Sequence, residues 1–286
     1  MARIIELAAK AKINLSLDIT GKRDNGYHEL ATIMQNVELS DTVRLEKSDR
    51  IEVKSNLFYL PNDQKNIAYK MAEHFFTEMG IRGGVKITLN KKIPVAAGMA
   101  GGSSDGAAVL KGLDMLYGTG LSMEEMQRLS LRIGSDIPFC LLGGTALVTG
   151  IGDETKRLPP MPFCRIVLCK PAFGISTEAA YHAYDSFGAK AHPDTAKLIG
   201  ALEVGDLYTL AGEMRNVLED VVTAPDEITR IEKTMLSFGA LGARMSGSGP
   251  TVFGIFDRRE KADACLIALR KEYHDAWSVS PERIPV

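Results

Sequence analysis

Residues 11–19 alternate in character. Ile13, Leu15, Leu17 and Ile19 are apolar, and Lys12, Asn14, Ser16 and Asp18 between them are polar. A period of two predicts a half-buried strand with Lys12 and Asn14 on its polar face. Asp24, Asn25 and Gly26 then supply turn chemistry, and Tyr27 and His28 open the next segment. Further short strands are predicted around residues 43–45, 51–53 and 85–89. After Asn66 the period changes: Ile67, Met71, Phe75 and Met79 recur every four residues, the apolar stripe of a helix. A second helix is predicted from Ser103 and Ser104 through Leu113. A third begins at Ser122, where Ser122 and Glu125 have capping-box spacing, and stops before Gly134. The run Pro159, Pro160, Met161, Pro162 reads as a linker and divides the chain into residues 1–158 and 159–286. Beyond it the pattern gives a strand over 165–170 and several helices between Thr177 and Phe238. Two strands then flank a glycine-rich turn near 246–249, followed by a helix from Glu260 and a last strand near Trp277. Strands and helices mix without the regular alternation of a doubly wound sheet, which predicts an α+β fold of two lobes.

With 286 residues the chain is long enough to bury a sizeable core. It is 45% hydrophobic and 24% charged, the mixture of a globular protein. A net charge of −2 argues against a general nucleic-acid binder, which carries a basic footprint, but leaves room for a local basic pocket. No apolar run approaches the ~18 residues of a membrane span. The N-terminus carries Glu6 where a secretory signal would continue its apolar stretch, so the chain reads as cytoplasmic. Cys140, Cys164, Cys169 and Cys265 form no C-x-x-C pair, and the five histidines show no H-E-x-x-H spacing. Buried thiols, not a zinc site, are the expectation.

The most informative stretch is Pro94, Val95, Ala96, Ala97, Gly98, Met99, Ala100, Gly101, Gly102, Ser103, Ser104, Asp105. It lies between a predicted strand and a predicted helix. Small residues let backbone approach a ligand closely, and the loop empties into a helix N-terminus whose free N–H groups and dipole favour an anion. Ser103 and Ser104 add hydroxyls. By its physics this is a phosphate cradle; an ordinary tight strand-to-helix loop is the structural alternative. Neither the G-x-x-x-x-G-K-[ST] loop nor the G-x-G-x-x-G dinucleotide spacing is present.

With Lys92, Ile93 and Pro94 ahead of it, this loop resembles the central phosphate-binding motif of the GHMP kinases. Ala11-Lys12-Ile13-Asn14-Leu15 resembles the family's first motif. The stretch from Met245 through Ser246, Gly247, Ser248, Gly249 and Pro250 to Phe253 resembles its last glycine motif. Two more strings, from Thr20 through Gly26, Tyr27 and His28 and from Gly134 through Asp136 to Phe139, resemble the branch whose acceptor is a cytidine diphosphate alcohol. The resemblance covers essentially the whole chain. It implies a two-lobe GHMP kinase fold, with an N-terminal ATP-binding lobe and a ferredoxin-like C-terminal lobe. It further implies ATP with Mg as donor, a small-molecule cytidine diphosphate alcohol as partner, and neither nucleic acid nor membrane. The chain departs from the family pattern at Ala96, Ala97 and Ala100, where glycine is commoner, and at Lys10, where proline is common. The register of Lys-Ile-Asn-Leu selects Lys12.

Carried over residue by residue, Lys12 is the catalytic lysine, whose charge would offset the negative charge of phosphoryl transfer; a solvated strand lysine is the plain alternative. Asp136 is the catalytic aspartate, accepting the acceptor's proton; a turn-forming aspartate is the alternative. Asn14 shares the strand face and would orient the acceptor. Tyr27 and His28 would read the cytosine by stacking and edge hydrogen bonds, against a core tyrosine beside a solvated histidine. Tyr181 would meet the base from the other side, with Thr177 a turn before it also binding substrate, against a helix aromatic packed on the core. Asn66 opens a helix near the nucleotide, or is a simple N-cap. Gly247 and Gly249 bring their loop to the acceptor or the phosphates, or merely form a hairpin turn. The metal ligands stay open, with Ser103, Ser104 and Asp105 in reach. The rival readings are another GHMP kinase, acting on homoserine, mevalonate or a sugar, and a non-catalytic nucleotide- or RNA-binding module. Tyr27 and His28 argue against the first; Lys12, Asp136 and the net charge argue against the second.

Overall fold

The computed structural model describes residues 3–24, 26–222 and 224–284. Along the chain run β1 (Ile4–Lys22), β2 (His28–Ser48), β3 (Glu52–Ser55), α1 (Ile67–Met79), β4 (Gly84–Asn90), α2 (Gly101–Tyr117), α3 (Met123–Ser130) and α4 (Ile137–Leu142). They are followed by β5 (Thr145–Gly150), β6 (Glu154–Arg157), β7 (Arg165–Lys170), α5 (Thr177–Phe187), α6 (Thr195–Val204), α7 (Leu207–Gly212) and β8 (Arg215–Asn216). After a short 3-10 helix, Val217–Val221, come α8 (Pro225–Ser237), β9 (Gly242–Met245), β10 (Val252–Phe256), α9 (Arg259–Leu269) and β11 (Asp275–Val279). Asn25, the middle of the expected turn, lies outside the described residues, as do Met1 and Ala2.

The chain folds into two compact units that interleave in sequence. The first takes Met1–Ala11, Leu39–Val95 and Ala100–Leu142; the second takes Lys12–Glu38, Ala96–Met99 and Gly143–Val286. The long strands β1 and β2 supply residues to both. The proline run at 159–162 falls in the coil between β6 and β7.

In the first unit β4 pairs antiparallel with β2, Val43 opposite Leu89, and parallel with β3, Val53 opposite Ile87. Those inward residues meet α1 and α2 in one apolar core with Met71, Phe75, Val109 and Leu113. The apolar stripe of α1 is the one the sequence predicts. Asn66 caps the helix by accepting the Ala68 N–H at 2.9 Å, and Gly80 ends it in the left-handed region. The capping box of Ser122 and Glu125 is present at the start of α3.

In the second unit β2 pairs antiparallel with β5, β5 with β6, and β1 runs parallel to β8. A second sheet has the order β11-β7-β10-β9, antiparallel at each step. Its chain order, strand, helices, strand, strand, helix, strand, is the ferredoxin-like arrangement. Leu17, Val167, Met245, Phe256, Ile231 and Cys265 belong to its core.

The strand expected over 11–19 is longer than the sequence indicated, and it is not half-buried. Its polar face is buried too: Lys12 is 4% exposed and Asn14 1%. The thiols also differ from expectation. Cys169 and Cys265 are buried, whereas Cys140 and Cys164 are half-buried. Burial still pushes the Cys164 and Cys265 thiols up to about 12, so they stay protonated. No helix among the described residues is long and apolar enough to cross a membrane.

Candidate functional site

Within the second unit, Lys12 is the centre of a polar cluster. Its Nζ donates to Asn14 Oδ1 at 2.8 Å, Asn14 Nδ2 donates to Thr32 Oγ1 at 2.8 Å, and the Thr32 hydroxyl donates to the Ser16 carbonyl at 2.5 Å. The Lys12 N–H donates to the Met99 carbonyl at 3.2 Å, which ties β1 to the glycine-rich loop. A buried ammonium is costly unless hydrogen-bonded, and this one is held in a fixed place by the side chain two residues along its own strand face. The plain alternative of a solvated lysine is therefore wrong.

Two glycine loops meet beside it. Ser246 Oγ donates to the Gly98 carbonyl at 3.0 Å. A Cβ placed on Gly98 would stand 2.2 Å from the Ser246 carbonyl oxygen, and one on Gly247 would stand 3.5 Å from Lys12 Nζ and 3.4 Å from Asn14 Oδ1. Close approach is why Gly98 is glycine, whereas at Gly247 the left-handed φ of 58 and the Gly98 carbonyl oxygen, 3.2 Å from an added Cβ, disfavour a side chain. In the loop itself Gly98 has φ 73, and Ala96 and Ala100 are also left-handed, at φ 51 and 54. Each alanine costs ~1–2 kcal/mol there, so the path that glycine would take freely is kept at a cost by the surroundings. Ala97 and Met99 are buried; Val95 and Ala96 face solvent, and Pro94 is half-buried.

In the first unit, α2 starts at Gly101 with Ala100 as its N-cap, and no side chain caps the first turn. The N–H groups of Gly101, Gly102 and Ser103 head a 17-residue helix and suit an anion. Ser104 departs from expectation. It is 2% exposed and donates its hydroxyl to the Lys10 carbonyl at 2.6 Å. Asp105 is committed at one oxygen only, since its buried Oδ1 has no hydrogen-bond partner. Its Oδ2 takes the Lys91 ammonium at 2.6 Å, and Lys91 also pairs with Asp41. Asp41 in turn accepts the Ile93 N–H at 2.8 Å. Burial, against the pull of Lys91, raises the Asp105 carboxyl to about 7. This buried triad fixes the strand that enters the loop against the helix that leaves it. No local pattern marks it, because Asp41 is fifty residues away from Lys91.

Asp136 sits in the first unit just ahead of α4, half-buried, and its carbonyl accepts the Cys140 N–H at 3.1 Å. Asn66 is committed at both ends, capping α1 and donating to the Pro61 carbonyl at 2.8 Å. Its side chain serves as an N-cap.

Tyr27 and His28 part company. Tyr27 is 62% exposed, so it is no core tyrosine. His28 stacks on Tyr181 of α5 at 4.9 Å between ring centroids, and its Nε2 lies 2.7 Å from Asp185 Oδ1. Asp185, which the sequence analysis missed, also takes Lys22 at 2.6 Å. Hydrogen bonds from Lys22 and His28 hold its carboxyl down at about 2. Thr177, at the start of α5, is hydrogen-bonded to Ser248 of the second glycine loop at 2.9 Å. The stacked rings and the anchored imidazole form one cluster between β2 and α5. Its local signal was a charged residue one turn after Tyr181.

Comparison with known proteins shows the family. Residues 66–144 match the GHMP kinases N terminal domain and residues 198–275 match GHMP kinases C terminal. A 4-diphosphocytidyl-2-C-methyl-D-erythritol kinase of Lachnospira eligens is 44% identical over 94% of this chain and 94% of its own length. One of Clostridium botulinum (strain Alaska E43 / Type E3) is 42% identical over 96% and 98%. The crystal structure of a 4-(cytidine 5'-diphospho)-2C-methyl-D-erythritol kinase superposes with a TM-score of 0.81 at 31% identity, covering 97% of this chain and 99% of that one. A homoserine kinase from Cytophaga hutchinsonii shares the fold at 20% identity and a TM-score of 0.75, covering 98% and 95%. A full-length likeness at this identity, with the lysine and both glycine loops in place, makes the chain a member of the GHMP kinases, in the family of the 4-diphosphocytidyl-2-C-methyl-D-erythritol kinases.

Proposed function

We propose that this kinase transfers the γ-phosphoryl group of ATP to the 2-hydroxyl of 4-diphosphocytidyl-2-C-methyl-D-erythritol, in the non-mevalonate route to isoprenoid precursors. The observation that carries the reading is the buried Lys12, held by Asn14, tied by its backbone to Met99 of one glycine loop and faced by Gly247 of the other. Phosphoryl transfer asks the protein for positioning and for charge placed where charge develops. A pre-set ammonium beside two glycine-rich loops supplies both. In this reading Lys12 stabilises the group in flight and Asp136 accepts the acceptor's proton. Residues 94–103 cradle the phosphates with backbone N–H groups, and His28 with Tyr181 and Tyr27 binds the cytosine. Asn14 and Thr177 complete the acceptor contacts.

Magnesium enters with ATP. Among the described residues no group of three or more His, Cys, Asp or Glu is placed to hold a metal, and Asp105 Oδ2 is taken by Lys91. A divalent ion held chiefly by the phosphates, as Mg is in many kinases, fits these residues. When bound it neutralises phosphate charge. A cytoplasmic location follows from the substrates, since ATP and a nucleotide diphosphate do not cross a bilayer unaided.

The test is ADP release in a coupled assay with ATP, Mg and each acceptor in turn. Turnover with the cytidine acceptor and none with homoserine or mevalonate is expected. Turnover with homoserine or mevalonate alone would overturn the assignment while leaving the family intact.

A further inference from the structure

Asn216 is 2% exposed and lies on β8, where Arg215 and Asn216 pair with Ser16 and Leu17 of β1. Both of its polar ends are occupied. Nδ2 donates to the Met245 carbonyl at 2.9 Å and to the Gly247 carbonyl at 2.7 Å, and Oδ1 accepts the Leu218 N–H at 3.0 Å. Three residues on, Glu219 takes the Met245 N–H at 2.7 Å. One short segment thus grips Met245 at both of its backbone polar groups, and Gly247 at its carbonyl.

Backbone bonds already close this turn. Ser246 N donates to the Thr251 carbonyl at 2.8 Å, and Gly249 N to the Ser246 carbonyl at 2.9 Å. The side-chain grip adds something the turn does not need: it fixes Gly247, the residue whose added Cβ would stand 3.5 Å from Lys12 Nζ. The grip is also rigid, because a buried amide that loses a partner pays the desolvation of the orphaned group.

We propose that Asn216, seconded by Glu219, is a positioning residue for phosphoryl transfer. It holds the 246–249 loop at the separation from Lys12 at which backbone and ammonium act on the same group. This rests on the role proposed above for Lys12. A shift of ~1 Å in such a loop is enough to cost ~10²-fold in rate.

The test compares wild type with Asn216→Asp, which keeps the acceptor for Leu218 and sets an oxygen against two carbonyls. Steady-state kinetics are run beside calorimetric titration with a non-hydrolysable ATP analogue, whose stoichiometry counts the folded sites. The expected result is a kcat at least ~30-fold lower, with the analogue's Kd, the stoichiometry and both KM values within about threefold of wild type. If Asn216→Asp does not fold, Asn216→Ser, which keeps one donor, is read the same way, with at least a fivefold loss in kcat expected. A stoichiometry that falls in step with kcat marks a purely structural residue and overturns the proposal, as does an unchanged kcat. A wild type that turns over no cytidine acceptor overturns the reading beneath it, and is told apart because it shows before any variant is made.

Discussion

Replacing Gly98 by alanine tests the geometry around Lys12 with one methyl group. The added carbon would lie 2.2 Å from the Ser246 carbonyl oxygen and 3.1 Å from both N and O of Gly249. Those neighbours are backbone, so no rotamer change relieves the contact. The two loops must part by roughly 1 Å, an overpacking that costs ~1–3 kcal/mol. Gly98 also has φ 73, a conformation that costs an L-residue a further ~1–2 kcal/mol. The sum, ~2–5 kcal/mol, corresponds to a melting temperature lower by about 5–15 °C in a chain of this size. The functional cost is larger. The Gly98 carbonyl accepts the Ser246 hydroxyl, and its neighbour Met99 accepts the Lys12 N–H, so parting the loops moves the backbone beside the ammonium. A displacement of ~1 Å predicts a ~10²-fold lower kcat. Differential scanning calorimetry and the coupled ADP assay, both on the Gly98→Ala variant, read the two effects separately. A variant that melts within a degree of wild type and keeps half its kcat would refute the close approach of the two loops.

Asp136→Asn should lower kcat by at least ~10²-fold, the scale of a lost general base, with ATP affinity by calorimetry unchanged; near-normal turnover removes Asp136 from the mechanism. Tyr181→Ala should raise the acceptor KM about tenfold, since a stacked aromatic is worth ~1–3 kcal/mol per base. The ATP KM should not move, and a reversed pattern in paired kinetics would exchange the two pockets. Stability should also fall as pH rises from about 5 to 8, because burial, then the Glu219 charge, raises the Glu232 carboxyl to about 8. Between the unfolded and folded pKa values the native state holds a proton that the unfolded chain has released, so ΔG of unfolding declines with pH. Glu232→Gln should flatten this part of a melting-temperature profile, and an unchanged slope would show that another group titrates.

Local pattern alone determined most of the elements. The four-residue stripe from Ile67, the capping box at Ser122 and the strand over 165–170 are short-range signals, set by backbone periodicity and by side chains reaching their own backbone. The glycine-rich stretch before α2 was equally legible, because helix starts and small-residue loops are written in consecutive residues. Tertiary structure decided what lies across the chain. Alternation along residues 11–19 could not tell a wet polar face from a buried one, because burial of Lys12 depends on Met99, Thr32 and Gly247, contributed by distant segments. The same holds for Ser104, spent on the Lys10 carbonyl, and for His28, which meets Tyr181 instead of acting with Tyr27. Asp41 and Asn216 had no local mark at all. A hydrogen bond or an ion pair over 29 to 50 residues, as at Asn216 with Met245 and Asp41 with Lys91, is fixed by how the sheets bring strands together, and composition carries no trace of that pairing.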